Sequence, residues 1–194
     1  AEKTPGTEDL TTIAWSGDRG LTLTEMGPWG VIGAVCPSTN PTCTVICNSI
    51  CMIAAGNSVV FMPHPSAKNC SNLAIDMVNR ASVEVGGPAN IATAVKEPTM
   101  DVSSYIFKHK DIDLLCATGG PGVVTSVLSS GKRAMGAGAG NPPVLVDETA
   151  NIPKAAEDII NGCTFDNNLP CIAEKEVVAV DMIADELIYH MEQA

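Results

Sequence analysis

Val31-Ile32-Gly33-Ala34-Val35-Cys36-Pro37-Ser38-Thr39-Asn40-Pro41 passes from an apolar run into a polar turn bounded by prolines. The run from Val31 to Cys36 suits a strand buried on both faces. Pro41 suits the first turn of a helix, where a missing N–H removes nothing. That helix is expected to reach about Ala55 and to close on Gly56, a natural C-terminal cap. The β-branched run Ser58 to Met62 follows at once. Strand, turn, helix and strand within about thirty residues predict a βαβ unit with parallel strands.

The same alternation continues downstream. Pro63-His64-Pro65 is a rigid turn, and Ser66 to Val85 a long helix stopped by Gly86-Gly87-Pro88. Ile91 to Val95 is expected as a strand, Thr99 to His109 as a helix and Leu114 to Ala117 as a strand. Thr118-Gly119-Gly120-Pro121-Gly122 is a loop, and Val123 to Ser130 a helix. The expected fold class is therefore α/β, a Rossmann-like doubly wound parallel sheet.

Upstream, residues 1–20 are polar, with a turn at Asp18-Arg19-Gly20. Leu21 to Glu25 alternates as a half-exposed strand does, until Gly27-Pro28-Trp29-Gly30 breaks it. Beyond residue 132 the pattern changes, and Met135 to Pro143 reads as a flexible connector of small residues. Strand Val144 to Val146, helix Pro153 to Asn161, a loop with Cys171, strand Val177 to Val180 and a helix from Met182 follow. Three regions are expected: 1–26, 27–134 and 135–194, the last being the start of a second α/β domain.

Composition narrows the function. The 194 residues are 45% hydrophobic but only 4% aromatic, so the core must be aliphatic. A net charge of −11 argues against a nucleic-acid binder and against docking on anionic lipid. No uninterrupted apolar run approaches the roughly 18 residues of a membrane helix. Ala1 to Gly6 lacks the features of a signal peptide. The absent initiator Met and the abrupt end at Ala194 lead us to expect a piece of a longer chain. The eight cysteines read as reduced thiols rather than a disulfide framework. Cys43, Cys47 and Cys51 share one helix face and are expected to be small core residues. No CxxC pair or neighbouring His supports a metal site, and none is expected.

Ligands of doubly wound sheets bind where strands lead into helices. The N–H groups of Thr118 to Gly122 suit a phosphate, although the loop is not GxGxxG and no acid follows about twenty residues on. The Asn40 amide suits a developing oxyanion, or a simple helix cap. Cys171, in Phe165-Asp166-Asn167-Asn168-Leu169-Pro170-Cys171-Ile172-Ala173-Glu174-Lys175, suits a nucleophile at a turn before a strand. His64, His109 and His190 are the only histidines, and the sequence assigns none of them to Cys171.

Taken together, Gly27-Pro28-Trp29-Gly30-Val31-Ile32-Gly33, Pro37-Ser38-Thr39-Asn40-Pro41, Ala54 to Phe61, Pro63-His64-Pro65, Thr118 to Gly122, Gly136 to Pro143 and Phe165 to Lys175 carry a family likeness. The chain resembles the aldehyde dehydrogenase superfamily, and within it the CoA-acylating propionaldehyde and acetaldehyde dehydrogenases. The resemblance implies that Cys171 attacks the aldehyde and carries the acyl group as a thioester. It implies that Asn40 and the N–H of Cys171 hold the oxyanion. Around NAD it implies Thr118, Gly119 and Gly120 near the pyrophosphate, with Pro37, Ser38 and Gly138 near the nicotinamide half. His64 and Pro65 would stand near the adenosine ribose.

Hydrolytic members carry a glutamate base in the connector, at a position that looks like Ala137 here. Without that base a thioester should last until coenzyme A arrives, since a thiolate needs no activation. Met62 replaces a ribose-binding lysine of many relatives. The implied function is oxidation of propanal or ethanal to acyl-CoA with NAD. The alternatives are a hydrolytic aldehyde dehydrogenase and an inactive nucleotide-binding fragment. The resemblance also implies a cytoplasmic homo-oligomer, dimer or tetramer, with the strand at Leu21 to Glu25 in the oligomerisation element. Packaging in a bacterial microcompartment, with shell or cargo partners, stays open, as does NAD against NADP.

Overall fold

A computed structural model describes all residues, 1–194. The chain forms two compact units, Ala1–Ala137 and Gly138–Ala194. The first opens with an antiparallel hairpin of β1 (Ile13–Gly17) and β2 (Gly20–Thr24). A five-stranded parallel sheet follows, built from β3 (Val31–Val35), β4 (Ser58–Met62), β5 (Ala92–Ala94), β6 (Leu114–Thr118) and β7 (Arg133–Ala137). Between them run α1 (Pro41–Ala54), α2 (Lys68–Glu84), α3 (Met100–Lys108) and α4 (Pro121–Leu128). The strand order is β5-β4-β3-β6-β7, so the winding reverses between β3 and β6.

Both faces of the sheet are covered, and strand alternation sorts the side chains between them. Val59 and Phe61 of β4 join Ala34, Cys36, Val45, Ala74, Ile75 and Ala92 in one core, beneath α1 and α2. Met62 joins Ile106, Phe107, Ile112, Leu115, Ala117 and Val127 in the other, beneath α3 and α4. This two-sided burial is why the strands read as continuous apolar runs. Phe61 is the largest fully buried side chain in a core otherwise poor in aromatics. Phe61→Ala is expected to cost about 3–5 kcal/mol by urea denaturation, the range for truncating a buried phenylalanine. A loss below about 1 kcal/mol would contradict that packing.

In the second unit β8 (Pro143–Val146) and β9 (Glu176–Ala179) pair in parallel. The helices α5 (Ile152–Thr164) and α6 (Asp181–Gln193) bury Ile152, Ala156, Ile159, Ile183 and Leu187 against Val146.

Three expectations need correction. Ile13–Gly17 is a strand inside the segment read as polar, for which only the turn at Asp18-Arg19-Gly20 is expected; it takes its hydrogen bonds from β2, with Ile13 opposite Thr24 and Trp15 opposite Thr22. Met135 to Ala137 is not connector but the end of β7, laddered to Cys116, Ala117 and Thr118 of β6, so this strand runs across residues 134–135. Cys43, Cys47 and Cys51 are not core residues. Cys43 and Cys51 are exposed and Cys47 half-buried, because α1 turns Thr44, Val45 and Ser49 inward instead. All eight cysteines are free thiols.

Candidate active site

Reversal of the winding between β3 and β6 leaves a crevice at the carboxyl ends of the strands. Val35 pairs with Ala117, so the turn at Pro37 to Asn40 and the loop at Thr118 to Gly120 leave the sheet side by side. Val35 also pairs with Met62, and the Cys36 N–H donates to the Met62 carbonyl over 3.0 Å, which brings Pro63 to Pro65 alongside. On the other flank Thr118 pairs with Ala137, and the Gly119 N–H donates to the Ala137 carbonyl over 3.1 Å. One edge of the first unit thus gathers Pro37, Ser38, Asn40, His64, Pro65, Thr118, Gly119 and Gly120. Ala137 closes that row and brings no ionisable group to it. Gly138 and Cys171 belong to the second unit.

Asn40 stands at the N-cap position of α1 but does not cap it. Its Oδ1 accepts instead from the Thr39 hydroxyl over 3.0 Å, and its Nδ2 makes no bond within the chain. Thr99 and Asn151 behave as ordinary caps: Thr99 Oγ1 accepts from the Val102 N–H and Asn151 Oδ1 from the Lys154 N–H, each over 3.2 Å. Asn40 therefore keeps an oriented amide donor that its own helix does not use.

The glycine loop has the form of a phosphate cradle. Gly120 precedes α4 without any side-chain cap, and Pro121 occupies the first turn. The first helical bond is from the Val124 N–H to the Gly120 carbonyl, over 3.2 Å, which leaves the N–H groups of Gly122 and Val123 to point outward. At Gly119 a Cβ would stand 2.9 Å from Val123 Cγ1, so the close turn into the helix requires glycine there. At the end of β4, His64 Nδ1 accepts from the Ser66 N–H over 3.3 Å and faces the Ser66 hydroxyl at 2.7 Å, so Nε2 is the outward nitrogen. These residues suit a dinucleotide: unpaired N–H groups for phosphates, and a polar turn at the neighbouring strand end.

In the second unit, the chain leaving α5 tightens into a short 3-10 turn, Phe165–Asn168. Asp166, Asn167 and Asn168 are all left-handed, with φ of 48°, 52° and 58°. Asp and Asn tolerate that region better than other side chains, but three in a row need external support. Asn168 supplies part of it, donating from Nδ2 to the carbonyls of Cys163 (2.6 Å) and Glu174 (2.9 Å). Lys175 supplies the rest, its Nζ donating to the carbonyls of Asn168 (3.1 Å) and Pro170 (3.2 Å) and to Asn168 Oδ1. The carbonyls before Cys171 are thereby gathered on the ammonium, while the Cys171 N–H has no acceptor within the chain.

Cys171 itself is half-buried. Gly140 passes directly behind it, and a Cβ there would strike the Cys171 carbonyl oxygen. Lys175→Met is expected to loosen this loop by about 1 kcal/mol, the worth of exposed charge-assisted hydrogen bonds. Amide exchange at Leu169 and Ala173, whose N–H groups donate to the Asp166 and Pro170 carbonyls, should then quicken about fivefold while α5 and α6 keep their protection. Unchanged exchange at those residues would show that the clamp is idle.

Other thiols are set apart electrostatically. Burial, with the nearby Cys116 thiol second, pushes Cys36 up to about 12. Burial also raises Cys116, and burial followed by the Cys47 thiol raises Cys51. Raised thiols carry less thiolate and are poorer nucleophiles. No group of three or more His, Cys, Asp or Glu side chains could hold a metal. No helix is long and apolar enough to cross a membrane.

The family profile described as "Aldehyde dehydrogenase family" matches residues 3–194. The chain belongs to the aldehyde dehydrogenase family. Within the family it is 57% identical over 187 residues to an acetylating acetaldehyde dehydrogenase of Bilophila wadsworthia, covering 96% of this chain and 39% of that protein. It is 53% identical to a CoA-propanoylating propanal dehydrogenase of Citrobacter freundii, covering 98% of this chain and 41% of the relative. Among solved structures, a propionaldehyde dehydrogenase from the fucose utilisation microcompartment of Clostridium phytofermentans superposes with a TM-score of 0.91 at 69% identity, covering 99% of this chain and 44% of that one. The chain thus spans about two fifths of the length of these aldehyde dehydrogenases, and the parallel sheet between helices is the fold they share.

Asn168 and Lys175 were not singled out as supporting residues by the sequence. A doubled Asn before Leu-Pro-Cys hints at a left-handed turn. Nothing in the sequence reveals which carbonyls Lys175 reaches.

Proposed function

We propose that the protein oxidises a short-chain aldehyde, propanal or ethanal, to the acyl-CoA, with NAD as acceptor and Cys171 as acyl carrier. The observation that carries this is the Cys171 loop: a half-exposed thiol whose preceding carbonyls are drawn onto Lys175 while its own N–H stays free. The names of the relatives supply the substrates, an acetylating acetaldehyde dehydrogenase and a CoA-propanoylating propanal dehydrogenase.

In this mechanism the Cys171 thiolate adds to the aldehyde carbon and forms a thiohemiacetal. The negative oxygen would be held by the Cys171 N–H and by Asn40 Nδ2, the kind of donors that stabilise charge as it develops. Bound NAD supplies the acceptor for the hydride lost from the aldehyde carbon. Thr118, Gly119 and Gly120 would hold its pyrophosphate, with Pro37, Ser38 and Gly138 beside the nicotinamide half and His64 and Pro65 beside the adenosine ribose. Loss of hydride leaves a thioester on Cys171. Ala137 offers no base to activate water, so the thioester persists until the acyl group passes to the thiol of coenzyme A, releasing Cys171. Overall, aldehyde, NAD⁺ and CoA give acyl-CoA, NADH and a proton.

The proposal extends to a cytoplasmic homo-oligomer, with packaging in a microcompartment suggested by the origin of the Clostridium relative. The test is incubation of the protein with propanal and NAD⁺ but no CoA. A propanoyl group on the Cys171 peptide, released as propanoyl-CoA on adding CoA, is expected. Steady formation of propanoate without CoA would overturn the acylating reading in favour of hydrolysis. NADH formation with no acyl group ever on Cys171 would overturn its role.

A further inference from the structure

An ion pair stands beyond the ends of β4 and β5, next to the turn proposed for the adenosine ribose. Lys68 is the first residue of α2, and its Nζ lies 2.7 Å from Oε2 of Glu97. Glu97 sits on the loop leading from β5 to α3. β4 and β5 are parallel neighbours, with Phe61 opposite Ala94, so the pair ties together the loops leaving two adjacent strands on one edge.

In sheets wound this way, the residue beyond the second strand reads the cofactor ribose. A carboxylate there accepts from the 2′-hydroxyl of NAD, and a cation nearby receives the 2′-phosphate of NADP. Met62-Pro63-His64-Pro65-Ser66 carries neither a carboxylate nor a fixed cation. The acid and the base both arrive from just beyond, as Glu97 and Lys68, already joined to each other. The Lys68 hydrogen bond and charge hold the Glu97 carboxyl below its usual range, so it stays ionised. The Lys68 side chain is 34% exposed and that of Glu97 70% exposed, so the lysine is the fixed partner and the glutamate the displaceable one.

We infer that Lys68 and Glu97 form a cofactor-selecting pair. With Glu97 in place the lysine is occupied, and an incoming 2′-phosphate meets a like charge. The 2′-hydroxyl of NAD carries no such charge and is preferred. Without Glu97, Lys68 is a point charge free to take a 2′-phosphate. This rests on the dinucleotide reading of the sheet edge proposed above, and makes Lys68 and Glu97 its specificity determinants.

The test is calorimetric titration of the purified protein with NAD⁺ and NADP⁺, which differ only in the 2′-phosphate. Wild type should favour NAD⁺. Glu97→Gln should shift the ratio of NADP⁺ to NAD⁺ affinity about tenfold toward NADP⁺, the scale of one charge-assisted hydrogen bond. The double variant Lys68→Met/Glu97→Gln should lose that improvement. A thermal melt of each variant checks folding, and Glu97→Ala serves as a second route if the glutamine variant is unstable. An unchanged NADP⁺ to NAD⁺ ratio in the Glu97 variants, or an improvement that survives loss of Lys68, overturns the inference alone. Failure of wild type to bind either dinucleotide overturns both it and the nucleotide reading beneath it.

Discussion

Replacing Cys171 by alanine is expected to abolish acyl transfer, lowering turnover by a factor on the order of 10⁴ or more, as loss of a covalent nucleophile does. Cys163, the other thiol in the unit of Cys171, is turned to the Ile160 carbonyl of its own helix, 3.5 Å away. Cys36 and Cys116 are raised by burial within the sheet of the first unit, and Cys43, Cys47 and Cys51 line the outward face of α1. The measurements are acyl-CoA formation and the mass of the Cys171 peptide after exposure to propanal and NAD⁺. NAD⁺ affinity should persist in the variant, because the glycine loop and the turn at His64 lie in the other unit. A Cys171→Ala protein that still forms acyl-CoA near the wild-type rate would end the thioester mechanism.

Asn40→Ala is the second large effect, an expected loss of about 10²–10³ in kcat, the range for removing one oxyanion donor. What makes it diagnostic is the missing cap. An ordinary N-cap asparagine changed to alanine would cost about 1 kcal/mol of stability. Asn40 bonds Thr39 instead of an α1 N–H, so its removal should leave the melting temperature close to wild type. Thr99→Ala, which removes a true cap from α3, should lower it. Asn40→Asp keeps the shape but has no donor, and should be as inactive as the alanine variant. A stability loss at Asn40 matching that at Thr99, with activity kept, would return Asn40 to the role of a structural cap.

The sheet was legible because its strands are buried on both faces and each is punctuated by Pro or Gly. Val31, Ser58 and Leu114 were placed as strand starts by their apolar runs alone, and all three open strands. The missed strands fail that rule for physical reasons. Ile13–Gly17 buries nothing, and exists because β2 offers a ladder. Met135 to Ala137 has the small residues of a linker, and is a strand because β6 satisfies its backbone. Helical spacing grouped Cys43, Cys47 and Cys51 on one face but could not say which face meets the sheet. At the candidate site the residue types and their order along the edge could be read from sequence. Asn40's disuse as a cap, the left-handed run before Cys171 and the reach of Lys175 are matters of geometry, and no spacing rule encodes them.

The outward cysteines of α1 bear on how this protein should be handled by a chemist. Cys43 and Cys51, together with Cys70 on α2, meet solvent more fully than Cys171 does. A bulk reagent that counts thiols will therefore report mainly the surfaces of two helices. Loss of free thiol on storage in air need not track loss of the Cys171 thiol. Electrophilic probes aimed at Cys171 under its proposed role would have to gain selectivity from an aldehyde-like shape, since accessibility favours other sulfurs.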